Sequence, residues 1–303
     1  MIRTCELGRS IGVPPLVDRF SGFEGEIAKL IGGERYALGV VEHFWCAAYH
    51  PQIAALCAKT VLDLHNIESE WHERCAGRER WPISAALRRF GRKALEMERA
   101  LLARYSLVLA ASGQDAARVR EIAPEATVFV YPNTIPWVGE PPHAEENAIV
   151  FSGNMEYLPN VQAVRHFRRG IWPILRRRHE GLRWRLIGKN PQGVARFVRD
   201  DPRIELRGPV EDAVSAIAPA KAGVVPVVSG SGTRLKILEM WAAGIPVVST
   251  ALGAEGLGAE PGSHLLVADQ RNDFADCVSE LLSSEQRRRE HRDVSQLPFE
   301  RSS

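Results

Sequence analysis

Residues 227–250 read VVSGSGTRLKILEMWAAGIPVVST. Gly230 and Gly232 alternate with Ser231 and Thr233, and Arg234, Lys236 and Glu239 follow. Glycine admits positive φ and lets a ligand come close to the backbone. Placed between an apolar strand and a helix start, such a loop offers backbone N–H groups and the positive end of a helix dipole, which suits a phosphate. Lys236 and Glu239 are three apart, so one helix face would carry a cation and a carboxylate together. The stretch is not a dinucleotide fingerprint, because Leu235 stands where the third glycine of G-x-G-x-x-G belongs. It is not a Walker loop either, since no Gly-Lys-Ser/Thr follows at the needed spacing. The alternative from these residues alone is a tight turn before an ordinary amphipathic helix.

The elements that must hold this loop are legible as patterns. Val224 to Val228 reads as a buried strand, Ser229 to Gly232 as a turn, and Thr233 to Ala243 as a helix ended by Gly244 and Pro246. Apolar runs near 36–42, 60–65, 106–112 and 127–132 predict one series of strands. Runs near 148–153, 182–188, 204–208, 222–228, 246–250 and 264–269 predict a second. Helix-period segments lie between them, the pattern of parallel sheets covered by helices. The longest helix is expected over Ile83 to Tyr105, with Leu87, Phe90, Leu95, Leu101 and Leu102 on one side. Arg88, Arg89, Arg92, Lys93, Arg99 and Arg104 take the other side, as a solvated face or as a surface for a membrane or partner. Between the series, NTIPWVGEPPHAEEN (133–147) carries three prolines and reads as a linker. The expected boundary is near 136–146, giving domains over 1–140 and 141–303.

Bulk properties narrow the classes. A chain of 303 residues with 45% hydrophobic and 25% charged residues is an ordinary globular composition with room for two domains. Its net charge of +2 argues against a nucleic-acid binder, which needs a strongly basic face. The five cysteines, Cys5, Cys46, Cys57, Cys75 and Cys277, form no Cys-x-x-Cys pair, so neither a disulfide framework nor a metal site is expected. A reducing cytoplasm fits that usage. No window approaches the roughly 20 apolar residues of a membrane span, so a soluble or at most peripheral protein is expected.

Several further segments occur in a telling order: VLDLHNIES (61–69), ASGQDAARVREIAPEATVFVYPNTI (111–135), IVFSGNMEYLPNVQAVRHF (149–167) and LIGKNP (186–191). Together with GSGTRLKILEMWAAGIPVVSTALGAEGL, they resemble family 4 glycosyltransferases from about residue 36 to residue 286. The resemblance implies an α/β chain of GT-B architecture, two Rossmann-like domains facing across a cleft. It implies a retaining, metal-independent glycosyltransferase of hexosyltransferase type, moving a sugar from a nucleotide-diphosphate sugar to a glycan or lipid-linked acceptor. The donor is then a substrate, no separate cofactor is implied, and the expected place is cytoplasmic, with peripheral contact at the inner membrane face.

By the same resemblance, Glu239 would bind the donor ribose, and Gly230, Ser231, Gly232 and Thr233 with Arg234 and Lys236 would hold the diphosphate. His65 would act as the catalytic residue beside the donor sugar, and Gly153, Asn154, Lys189 and Glu255 are further donor contacts to test. Asn133 would shape the hinge, and neither Asn66 nor Glu68 is given a proton-transfer role. Ser231 stands where the family often has a glutamate, and SGNMEYLPN replaces a usual basic pair. The family's opening strand and glycine loop have no counterpart before residue 36, and EQRRREHRDVSQLPFERSS replaces a long C-terminal helix. The N-terminal domain is therefore expected to be incomplete, with an open sheet edge. A catalytically impaired nucleotide-sugar-binding remnant is the alternative function, and a nucleotide-sugar 2-epimerase of the same architecture is a weaker one.

Overall fold

Among the described residues, runs of Val, Ile and Leu punctuated by Gly, Pro and Asn form ten parallel strands in two sheets. The computed structural model describes residues 12–135 and 144–300, with 293–300 as backbone only. Positions 136–143 of the expected linker and the opening residues 1–11 lie outside the described residues. The chain divides into two compact units, one of Met1–Asn133 with Gly230–Thr233, the other of Thr134–Ser229 with Arg234–Ser303.

The first unit holds strands β1 (Tyr36–Glu42), β2 (Cys57–Leu64), β3 (Leu107–Ala110) and β4 (Val128–Val130), paired in that order. Val40 lies beside Val61, Leu62 beside Val108 and Leu109 beside Phe129. Its helices are α1 (Pro15–Arg19), α2 (Glu24–Ile31), α3 (His50–Ala54), α4 (Glu68–Ala76), α5 (Ile83–Leu101) and α6 (Gly113–Ile122). Val41, Leu62, Leu64 and Val108 alternate onto one sheet face and form a core with Ile67, Leu102, Tyr105 and Val119. The alternate residues Tyr36, Leu38 and Val40 of the edge strand β1 are exposed, as is Phe129 of β4. Helix α5 starts where periodicity places it and closes in a 3-10 turn over Leu102–Arg104. It packs on α4, where Gly91 lets His72 approach and the buried Glu98 accepts bonds from Ser69 N (3.0 Å) and Ser69 Oγ (2.5 Å).

The second unit holds β5 (Glu146–Ser152), β6 (Arg183–Ile187), β7 (Ile204–Arg207), β8 (Ala220–Val225), β9 (Val247–Ser249) and β10 (Leu266–Val267). Their order is β10-β9-β8-β5-β6-β7, so the chain runs outward from β5 on one side and then returns to the other. Such a reversal opens a crevice at the carboxyl ends of the central strands. The helices are α7 (Leu158–Gly170), α8 (Trp172–Arg178), α9 (Gln192–Val198), α10 (Ala213–Ile217), α11 (Leu235–Ala242), α12 (Ala251–Ala254), α13 (Arg271–Ser283) and α14 (Glu285–Glu300). Phe167, Trp172 and Trp184 form an aromatic centre in the core, and Asp201 takes the Trp172 indole N–H at 2.9 Å. Arg185, buried in β6, is tied to Glu146 and to Glu205, the latter at 3.0 Å.

Two boundaries differ from the sequence reading. Helix α11 begins at Leu235, two residues later than expected, because Arg234 (φ −89°, ψ 86°) is the non-helical residue before it and makes no side-chain cap. Its end matches: Gly244 has φ 69° and its N–H reaches Trp241 O at 2.9 Å. The tail expected to stand in for a longer helix is itself helical as α14, and Arg288 fastens it to Glu145 at 2.7 and 3.0 Å.

Burial pushes the Glu98 carboxyl up to about 7, although both Ser69 bonds pull it down. Between the ordinary value of 4.5 and about 7 the folded state keeps a proton that the unfolded chain has shed. Stability of the first unit should therefore fall as pH rises through that window, by up to about 3 kcal/mol. Urea unfolding on either side of the window measures this, and Glu98→Gln should flatten the dependence; an unchanged slope in that variant contradicts the assignment. In the second unit Gly188 has φ 142°, and a Cβ there would lie 2.8 Å from the Gly153 carbonyl carbon. Gly188→Ala should cost about 2 kcal/mol or more in the same assay. Gly208→Ala, with nothing within 4 Å of its Cβ, should stay within about 0.5 kcal/mol of wild type.

Candidate functional site

Strand β5 delivers Ser152 and Gly153 to the carboxyl end of the second sheet, beside the point where the strand order reverses. Gly153 has φ 137°, and a Cβ on it would press against Asn160 Nδ2 at 2.8 Å and Lys236 Nζ at 3.4 Å. Any other residue there would need that positive φ and would have to push the Asn160 amide aside. The first turn of α7 supplies the buried Asn160, whose Nδ2 donates to Asn154 O at 2.8 Å. Its Oδ1 accepts from Lys236 Nζ at 2.9 Å. One amide thus fixes the β5 turn and the lysine together.

Lys236 comes from the first turn of α11, and its ammonium also sits 5.0 Å from the centroid of the Phe151 ring. Burial pushes this amine down to about 7, the nearby Arg234 adds to the shift, and Glu239 opposes it. Glu239, one turn further on, accepts a bond from Ser152 Oγ at 3.3 Å. Arg234 is buried and donates to Ser229 O at 3.4 Å, while Ser229 Oγ is held by the buried Gln162. An amine held down in this way beside a carboxylate and a guanidinium can take up an anion and gain charge in doing so.

The other donor contacts inferred from the sequence have distinct settings. Asn154 Oδ1 accepts from Glu156 N at 3.0 Å and from Asn190 Nδ2 at 3.1 Å, so its side chain shapes the turn. Lys189 O accepts from Met155 N at 2.8 Å, and the Lys189 side chain is exposed. Glu255 closes the short helix α12, which follows β9.

The glycine loop Gly230–Thr233 belongs to the first unit. Gly230 and Gly232 have φ of 91° and 80°. Arg74 Nη1 donates to Gly230 O at 3.1 Å, Ser231 Oγ to Ile67 O at 3.1 Å and Thr233 Oγ1 to Ala111 O at 3.4 Å. A Cβ on Gly232 would run into the carbonyl of His65, so the loop and the His65 segment are brought together. Ser231, standing where a carboxylate is common, spends its hydroxyl on a backbone carbonyl.

His65 follows the end of β2, with Nε2 shut off from solvent, without a hydrogen-bond partner among the described residues and 4.0 Å from Asp63 Oδ2. Its ring packs on His43 at 4.2 Å between centroids, His43 stacks on Trp45 at 4.3 Å, and Trp45 on Phe20 at 5.9 Å. Burial and the neighbouring His65 push the His43 imidazole down. Glu68 is buried and accepts from Trp45 Nε1 and Asn66 Nδ2, both at 3.1 Å, and lies 3.3 Å from His72 Nε2. Sequence reasoning missed His43, Trp45, Ser152 and Asn160. His43 ends an apolar run just as His65 does, and Asn160 is a polar residue in a helix whose inner face is otherwise apolar; those were the available signals.

Residues 146–284 match a family model described as Glycosyl transferases group 1. An uncharacterised 44.6 kDa protein in the cps region of Klebsiella pneumoniae is 24% identical over 135 residues, covering 42% of this chain and 35% of that one. TarM of S. aureus, solved in complex with Fondaparinux, alpha-GlcNAc-glycerol and UDP, superposes with a TM-score of 0.68 at 12% identity, over 93% of this chain and 54% of that chain. Sucrose-phosphate synthase of Thermosynechococcus elongatus gives 0.69 at 16% identity, over 94% and 73%. The alpha,alpha-trehalose-phosphate synthase (UDP-forming) of Burkholderia xenovorans gives 0.61 at 11%, over 93% and 73%. The chain thus spans about a third of that curated relative and about half of TarM. The shared architecture is that of GT-B glycosyltransferases, and the stretch that matches the glycosyl transferases group 1 model carries Gly153 at the end of β5 and Lys236 and Glu239 on α11.

Proposed function

We propose that this chain transfers a sugar from a nucleoside-diphosphate sugar to a glycan or lipid-linked acceptor in polysaccharide biosynthesis, with retention of configuration and without a metal or other cofactor. The observation that carries the reading is Lys236, a half-buried residue whose amine sits at the end of β5 between Asn160, the Phe151 ring and Glu239. In such a transfer the bond from the anomeric carbon to the diphosphate oxygen breaks, and negative charge develops on the leaving phosphate. Fixed cations at that place lower the barrier without reorganising in the step. Lys236, Arg234 and the backbone of Gly230, Ser231, Gly232 and Thr233 supply that charge and those N–H groups. Glu239 takes the ribose hydroxyls, and Gly153, where a positive φ and the close Asn160 amide favour glycine, lets the donor approach β5.

For retention, the acceptor hydroxyl oxygen bonds to the anomeric carbon on the face the phosphate leaves, and its proton passes to the departing phosphate oxygen. His65, with a sequestered ring nitrogen, contacts the donor sugar in this reading. The place of action is the cytoplasm, at the inner membrane face where a lipid-linked acceptor would sit. A second reading, binding without transfer, is favoured by Ser231, whose hydroxyl is engaged where a carboxylate would otherwise meet the sugar.

Calorimetric titration with UDP, GDP and ADP tests the proposal. One of the three should bind, and Glu239→Ala should weaken it at least about tenfold, some 1.4 kcal/mol. Failure of all three to bind wild-type protein would overturn it. Donor hydrolysis or transfer, followed by release of the nucleoside diphosphate, separates the enzyme from the binding remnant.

A further inference from the structure

Helix α4 places Glu70 and Arg74 one turn apart, both half-buried. Carboxylate and guanidinium meet at 2.6 Å, in the order of acid before base that suits a helix. The other side of α4 buries Ser69, His72, Cys75 and Ala76. A half-exposed ion pair adds little stability by itself. Its effect here is to aim the guanidinium, whose Nη1 donates to Gly230 O at 3.1 Å, 156 positions away in the chain. Two neighbouring contacts hold the same loop: Ser231 Oγ donates to Ile67 O at 3.1 Å, and Gly232 lies so close to the His65 carbonyl that a Cβ would strike it. Three successive loop residues therefore rest on the segment from His65 to Arg74. Of these contacts, only the one from Arg74 takes hold of a loop carbonyl. Gly230 has φ 91° and no Cβ to limit its ψ, so the Gly230–Ser231 peptide can tilt widely unless a partner holds it.

We propose that Arg74, aimed by Glu70, is a positioning residue that fixes the Gly230–Ser231 peptide for the terminal phosphate of a nucleoside diphosphate. A trans peptide points its N–H opposite to its C=O, so fixing the Gly230 carbonyl fixes the direction of the Ser231 N–H as well. A loop carbonyl turned toward a phosphate would repel it. With the oxygen on Arg74 that repulsion is removed, and a carbonyl bonded to a cation polarises the N–H of its own peptide toward an anion. The inference rests on the reading of the glycine loop as the diphosphate cradle. In that reading Glu239 takes the ribose, which leaves the loop for the phosphate farther from the ribose. Arg74 acts through the peptide and does not itself touch the donor.

Calorimetric titration of the full chain with UDP, GDP and ADP, and with UMP, GMP and AMP, tests it. For the nucleotide that wild type binds, Arg74→Met should weaken the diphosphate at least about tenfold and the monophosphate less than about twofold. A role confined to folding would move both affinities together. Arg74→Lys, which keeps a charged donor on α4, should recover part of the diphosphate affinity. An unchanged diphosphate affinity in Arg74→Met, an equal loss for monophosphate and diphosphate, or a lysine variant no better than the methionine one would overturn the proposal. Unfolding midpoints check that both variants keep the fold. Absence of diphosphate binding by wild type would sink the transferase reading and this inference with it. Tight wild-type binding without the selective loss in Arg74→Met would sink this inference alone.

Discussion

A lysine amine drawn partly out of water at the end of a parallel strand is the constraint around which the crevice of the second unit is arranged. Burying an amine costs free energy unless its protons are bonded or it gives one up. Here Asn160 offers an amide oxygen, the Phe151 ring offers its face and Glu239 offers a counter-charge. Burial outweighs Glu239 and holds the amine down to about 7, where a bound anion would favour its charged form. Its neighbours follow from that. A side chain at Gly153 would need a positive φ and would press on Asn160, and one at Gly188 would run into the backbone of Gly153.

The strand order makes the constraint geometrically possible. With β6 and β7 built outward on one side of β5, and β8 to β10 on the other, the segments leaving β5 and β8 diverge. The segment after β8 leads to α11, which points Lys236 and Glu239 at the end of β5. In the first unit a second group is organised on similar terms. The glycine loop lies on the His65 carbonyl, and the stack of Phe20, Trp45, His43 and His65 holds the histidine ring among other rings. Glu68 accepts bonds from Trp45 and Asn66 and so ties one ring of that stack to the segment after His65.

The strands were readable because buried parallel strands are near-continuous Val, Ile and Leu runs, and TVLDL or AIVF admits few other readings. The long helix at Ile83 was readable from its period alone. The start of α11 was not, since Thr233 looks like a cap yet turns its hydroxyl to Ala111 O, a partner far away in sequence. Asn160 and Gln162 were invisible for a related reason. A periodicity argument treats a polar residue on an apolar helix face as noise, whereas here each makes the bond that fixes a loop. His43 adopts φ 66° to reach the ring stack, and no local pattern announces a positive φ at a non-glycine residue.

Proton uptake on nucleotide binding tests the role of Lys236 most directly. If a diphosphate restores the charge of an amine that titrates at about 7, binding at about pH 8 should draw nearly one proton from the buffer. Titrations in buffers of different ionisation enthalpy measure that number. The account predicts uptake close to one proton for wild type, and little for Lys236→Met with weakened binding. Tight nucleotide binding without proton uptake, or with the same uptake in the methionine variant, would contradict it.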